Sequence, residues 1–305
     1  MAGEGNIRAV VIGESNVDLI LRSSRPVEPR PGREIEVEDA EIVIGSSSAI
    51  FACQMARLGA TVNFVSRVGN DALGTFFLDS MRRKGVETGL VRISSDVPTG
   101  ITVSLSSPAE RALVTYPGTI AATTAADVPD SVFAAGAHLH LASYFLQKGL
   151  RKSFPDILSR AKKAGMTTSF DSGCDPEENW QGFEEVIPHV DVLLLNEVEA
   201  ANVPESLKPR VPVFVRKLGA QGAEMVFKGA KFSSPAPRMD KVVDTTGAGD
   251  SFDAAFVYAW LSGMKPDELL PFACAAGTLS TRGKGGTATQ GTVREIVELL
   301  GKGDA

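Results

Sequence analysis

The heptapeptide DTTGAGD at 244–250 sets an aspartate behind three residues nearly devoid of side chain, Gly247, Ala248 and Gly249. Phe252, Ala255, Phe256 and Ala259 then recur at helical spacing, which predicts a helix over 251–262 with Asp250 in its first turn. Gly and Asp are ordinary helix-entry residues, and an acid there gains a few tenths to about 1 kcal/mol from the helix dipole. That gain needs no bare loop ahead of it. Unshielded N–H groups at a helix N-terminus bind anions, and a carboxylate beside the anion can take a proton from an attacking hydroxyl. The loop lacks the lysine of GxxxxGK[ST], so the anion hole would be backbone alone.

Other residues that could do chemistry are fewer. Asn16 and Asp18 are spaced to point the same way from a strand, as recognition of paired hydroxyls needs. The same residues also punctuate a strand end as an Asx turn. His138 and His140 alternate in HLHLAS, but a metal site would need a third ligand and only His189 remains. Packing or a substrate contact at a strand end is expected of them. Cys53 and Cys274 sit in small apolar helical contexts and read as buried thiols, with Cys174 far from both. No Ser-His-Asp order or GxSxG motif occurs.

The elements that must position these residues alternate. Apolar runs at 9–12, 62–66, 138–142, 167–170, 190–195 and 211–215 read as strands, with helical patterns over 49–58, 73–83 and 150–163 between them. Strands apolar on both faces suit a mostly parallel sheet covered by helices on each side, an α/β fold. The C-terminal third reads as helices over 251–262, 267–281 and 293–300. Segments 35–44, 101–106 and 112–116 instead alternate apolar and polar, and with part of 15–22 they predict a small projecting β-sheet. It would serve as a lid, a dimer surface or an antiparallel edge.

With 305 residues, 43% hydrophobic and 22% charged, the chain is expected to bury a sizeable core. A net charge of −6 without a basic cluster argues against nucleic acid. No signal-peptide pattern or membrane-length apolar run is seen, so a soluble cytoplasmic protein without a membrane partner is the expectation. The first strand runs into GESNVD with no GxGxxG, which excludes a Rossmann dehydrogenase.

DTTGAGDSF resembles the C-terminal signature of the ribokinase-like (PfkB-type) carbohydrate kinases, which transfer the γ-phosphate of ATP to a sugar or nucleoside hydroxyl. NEVE at 196–199 resembles their magnesium and phosphate element, KLGAQG at 217–222 the turn bordering the nucleotide, and STRGKGGT at 280–287 the closing adenine-side and cation loop. The resemblance runs nearly end to end. It implies a three-layer α/β/α sandwich forming a single domain over 1–305, with a discontinuous β lid from about 15–22, 35–44 and 99–117.

Carried over, it implies Asp250 as the base and Gly247, Ala248 and Gly249 as the anion hole. Asn196 and Glu199 would serve magnesium and phosphates, Glu199 directly or through water, and Lys217, Gly219, Gly222 and Gly286 the nucleotide. Lys217 stands where many relatives have Thr, and would reach a phosphate or lie in solvent. Asp244 and Thr246, with carbonyls over 283–286, would help hold a potassium-like ion. Asn16 and Asp18 would face the sugar. GSSSAIFACQMARLG at 45–59 resembles the N-terminal signature, except that Ser46 replaces its second glycine and Ile50 its sugar-bonding asparagine. An isoleucine cannot bond a hydroxyl. Gly45, Ser46 and Ser47 would still border the pocket, with the serines of 46–48 supplying the contacts or the substrate lacking a hydroxyl there; one serine caps the helix. PTG at 98–100 resembles the start of the lid strand, faced by Arg111 and Tyr116. FDSGCDPEENW at 170–180 puts Asp171 on the substrate side, with Trp180 in packing.

The implied function is an ATP- and magnesium-dependent phosphotransferase acting on an alcohol group of a sugar-like molecule, as a homodimer through the lid. A nucleoside kinase, with Ile50 and Phe51 contributing to a purine slab, is the alternative. A non-catalytic sensor is a third reading, against which the intact GAGD and NEVE argue.

Overall fold

Leu193 and Leu195 face one side of their strand and Val192 and Leu194 the other, yet all four are fully buried, because helices cover both faces of the sheet that holds them. The computed structural model of the chain describes residues 7–107 and 110–301. Its main sheet has nine strands. From one edge they run β13 (Ala230–Ser234), β12 (Ala223–Phe227), β11 (Val213–Lys217), β10 (Val192–Asn196), β9 (Thr167–Phe170), β8 (His138–Leu141), β1 (Arg8–Ile12), β4 (Thr61–Gly69) and β5 (Glu87–Ser94). Pairing is parallel from β11 to β5 and antiparallel from β11 to β13.

One core packs Ala9 and Val11 of β1 against the helices Ser47–Arg57, Ala72–Arg83, Ala248–Leu261 and Pro266–Ser280. The opposite core takes Val10 and Ile12, together with Phe145, Phe154 and Phe170. Leu139 and Leu141 of β8 also face this side, whereas His138, beside Trp260, and His140, beside Phe51, face the first core. Ser169 Oγ meets a ring nitrogen of each at 2.7 Å, and His140 stacks on Phe51 at 3.6 Å between centroids. Burial drives both imidazoles to their neutral form, His138 down to about 3. Cys53 and Cys274 are buried thiols, as expected, and Cys174 is exposed.

A separate four-stranded sheet runs β3 (Asp39–Ile44), β2 (Asn16–Arg22), β6 (Gly100–Ser106) and β7 (Arg111–Tyr116). β2 follows β1 after three residues, so the chain crosses from one sheet to the other at Gly13, Glu14 and Ser15. The reading of 35–44 is corrected in extent, since the strand begins at Asp39. The helix expected over 150–163 begins at Phe154, after a 3-10 turn Arg151–Ser153, where Pro155 needs no intrahelical N–H partner.

Parallel strands end at one edge of a sheet. The chain leaves β1 outward through β4 and β5, then returns to β8 and proceeds the other way. Such a switch point opens a crevice at the carboxyl ends of the strands. Glu14 follows β1, Ser143 follows β8, Asp171 follows β9, and Asn196 and Lys217 close β10 and β11.

Candidate active site

The turn that opens the helix Ala248–Leu261 stands between two cavities. Gly247 caps the helix with φ +73°, in the left-handed region. A Cβ there would lie 2.7 Å from the Cα of Gly286 and 3.0 Å from Ile50 Cδ1, so only glycine fits. The Ala248 N–H bends back to the Thr245 carbonyl at 3.2 Å. Helix geometry leaves the N–H groups of Gly249 and Asp250 without an intrahelical acceptor. On one side lies a cavity of about 290 Å³ bordered by Gly247 and Asp250 with Glu14, Asn16, Asp18 and Ser47. On the other lies one of about 610 Å³ bordered by Ala248, Gly249, Lys217, Gly219 and Gly222. A depression of about 770 Å³ over the β11–β13 edge is larger, but none of the expected site residues borders it.

Asp250 is the titratable centre of the turn. Burial pushes its carboxyl up to about 7, the charges of Asp171 and Glu14 push the same way, and Lys217 and a Ser47 hydrogen bond oppose them. Part of its surface still opens onto the smaller cavity.

Across that cavity, Asn16 donates to Asp18 Oδ1 at 2.8 Å and to Thr102 Oγ1 at 3.3 Å. Burial raises Asp18 to about 6 against the help of Asn16 and Arg111. Gly45 leaves room for the pair, because a Cβ there would sit 2.1 Å from Asp18 Oδ1 and 2.5 Å from Asn16 Nδ2. Ser46 holds φ +79° and caps the helix Ser47–Arg57, accepting from the Ala49 N–H at 3.0 Å. Ile50 packs against Gly247 and Gly286, forming an apolar wall at the position where the resembled signature has its sugar-bonding asparagine.

Glu14 was not among the expected site residues. It is 2% exposed, accepts from Ser143 at 2.8 Å and from Ser48 at 2.5 Å, and so ties the ends of β1 and β8 to a helix start. A carboxylate directly after a glycine at a strand exit is the only sequence signal it offers.

Behind the turn, Lys217 neither lies in solvent nor points its charge freely into the larger cavity. Its Nζ donates to Asp171 Oδ2 and to Asp253 Oδ2, each at 2.7 Å, with 11% of the side chain exposed. Burial opposes charge on all three groups. The two carboxylates nevertheless hold the lysine well above its ordinary value, while Lys217 brings Asp171 to about 2. Asp253 is pushed well above the carboxylate range by burial and by Asp171, and its buried Oδ1 has no hydrogen-bond partner among the described residues. Asp171, expected on the substrate side, lies behind the turn instead of on the cavity wall. It faces Lys217 and the Gly173 N–H at 2.8 Å, and it does not border the smaller cavity.

Asn196 and Glu199 form a reciprocal cap. The Asn196 N–H donates to Glu199 Oε2 at 2.9 Å, and the Glu199 N–H to Asn196 Oδ1 at 2.9 Å. Burial and the charge of Asp171 raise Glu199 to about 8. Gly286 packs beneath Gly247 and does not border the larger cavity.

Asp244 and Thr246 do not fit the cation role expected of them. Asp244 Oδ1 accepts from the Thr246 N–H at 2.9 Å and the Thr246 hydroxyl at 2.7 Å, and Oδ2 accepts from the Gly285 N–H at 3.0 Å and Arg22 Nη2 at 3.2 Å. An ionised carboxylate offers about four lone-pair sites, and four donors occupy them.

The chain matches the model of the pfkB family carbohydrate kinases over residues 6–292. It is 28% identical over 324 residues to a ribokinase of Arabidopsis thaliana, covering 95% of this chain and 80% of that one. It is 27% identical over 257 residues to a 2-dehydro-3-deoxygluconokinase of Bacillus subtilis, covering 77% and 79%. The structure of Arabidopsis thaliana ribokinase complexed with ribose and ATP superposes with a TM-score of 0.81 at 25% identity, over 97% of this chain and 98% of that one.

Proposed function

The chain belongs to the pfkB family of carbohydrate kinases, and we propose that it transfers the γ-phosphoryl group of ATP to an alcohol group of a sugar or sugar-like molecule. One observation carries this reading: a single turn presents Gly247 and Asp250 to a small polar cavity, and Ala248 and Gly249 to a larger one. The acceptor belongs in the smaller cavity and the nucleotide in the larger.

The acceptor hydroxyl gives its proton to the Asp250 carboxylate as its oxygen bonds to the γ-phosphorus, and the bond from that phosphorus to the bridging oxygen breaks to release ADP. A base titrating near 7 is ionised often enough to accept the proton and basic enough to drive the transfer. The first-turn N–H groups meet the charge that develops on the phosphoryl oxygens. Asn16, Asp18 and Glu14 orient the acceptor through its other hydroxyls. Asn196 and Glu199, oxygen donors that suit a hard cation keeping most of its waters, would hold magnesium directly or through water. When bound, that ion neutralises phosphate charge. Dependence on ATP sets the work in the cytoplasm.

No aromatic ring is among the residues bordering the smaller cavity, which favours a sugar over a nucleobase. The screen that tests the reading follows ATP consumption against sugars, sugar acids, polyols and nucleosides. A strong hit that disappears in Asp250→Asn, with ATP binding kept, is expected. Undiminished turnover in that variant would falsify the role of Asp250.

A homodimer through the small sheet belongs to the same proposal. Val114 and Tyr116 share the face of β7 turned away from the smaller cavity and are 63% and 50% exposed, and a partner copy would cover them. Sedimentation should give a dimer that Val114→Glu with Tyr116→Glu dissociates; a wild-type monomer at micromolar concentration removes this part.

A further inference from the structure

We propose that Arg22 is a tethered cation that stands in for a monovalent metal ion behind the anion-hole turn, so that this enzyme works without potassium. Arg22 ends β2 of the small sheet, and its guanidinium reaches across to Asp244, which opens the segment leading to Gly247. The pair is sheltered, with 20% of the arginine side chain and 15% of the aspartate exposed. Asp244 completes its four contacts with Thr246 and Gly285, leaving no lone pair for an ion. The other edge of the guanidinium is fixed as well, by Asp39 at 3.2 Å and Glu41 at 3.5 Å. Asp39 also pairs with Lys284, a second cation inside the 283–286 loop.

The chemistry explains why a cation is needed here. An uncompensated carboxylate close to the turn would repel the phosphoryl group that the turn must bind. A single positive charge cancels that repulsion and also holds the segments at 244–246 and 283–286 together. Guanidinium does both with fixed N–H directions, and Arg111 adds a bond to Thr246 at 3.0 Å from β7. The cation therefore comes from the small sheet, not from solution.

The test compares KCl with tetramethylammonium chloride at equal ionic strength, with ATP supplied free of alkali metal. The inference rests on the proposed function for its activity readout, whereas melting temperature needs no turnover and so separates the two. Wild-type turnover and melting temperature should each be insensitive to the exchange, turnover changing by less than about twofold. Arg22→Ala should lose about tenfold or more in turnover, regain part of it as KCl rises, and melt roughly 2–4 °C higher in KCl than in tetramethylammonium. Arg22→Lys should recover part of the loss without KCl. A wild-type protein that is activated severalfold and stabilised by KCl overturns the proposal. So does Arg22→Ala with wild-type turnover in the absence of potassium. Should Arg22→Ala fail to fold, the wild-type titration decides alone.

Discussion

Asp250 illustrates how one side chain is tuned by what surrounds it. Enclosure and the charge of Asp171 raise its carboxyl to about 7, more than Lys217 can offset. In its proposed role as base it must be ionised, so kcat/KM should fall as pH drops through about 7; a limb near pH 4 would show an ordinary carboxylate at work. The same shift has a cost. A carboxyl whose folded value lies above its ordinary 3.8 contributes stability below about 4, and that contribution is lost as pH rises through about 7. Asp250→Asn should therefore melt roughly 2–4 °C higher than wild type at pH 8, with no gain at pH 4. Lys217 behaves oppositely, because removing it strands the ionised Asp171 carboxylate in the interior. Lys217→Met should cost roughly 3–5 kcal/mol in urea unfolding, and a loss below about 1 kcal/mol would show that the carboxylates find other relief. Asp250 was legible because small residues announce it. Glu14, Asp253 and Arg22 were not, since each owes its role to partners more than 25 residues away or to burial that no local pattern records.

At the scale of elements, the site is a meeting of strand exits with one helix start. Gly45 shows how tightly they meet, as it joins β3 to the helix Ser47–Arg57 directly beside Asn16 and Asp18. Gly45→Ala would force the Asp18 carboxylate aside, so the acceptor KM should rise by about tenfold or more while the ATP dissociation constant stays put. If both constants move together, the damage is global. Strands buried on both faces, such as β1 and β10, announce themselves as unbroken apolar runs. The hairpin of β12 and β13 did not, because AEMVF and AKFSS mix charge into an edge that only one core covers. β5, with its exposed Glu87, Gly89 and Arg92, hid for the same reason.

For the whole molecule, the two sheets are joined by three residues between β1 and β2, and by the contacts of Arg22 and Arg111 with the 244–246 segment. Any movement of the small sheet is thus felt at Glu14 on one side of the smaller cavity and at the turn of Gly247 on the other. The two cavities themselves share Thr245 as their common border. With the rest of their linings distinct, each ligand is expected to bind without the other. An unreactive ATP analogue should compete with ATP and leave acceptor binding intact; competition with both would mean that the cavities are not separate. It follows that one molecule carrying a sugar and an adenosine at the two ends of a short phosphate chain would occupy both at once. Each end would hold the other at an effective concentration that neither half alone could reach, which makes such a bisubstrate ligand about 10²–10⁴ times tighter than its parts.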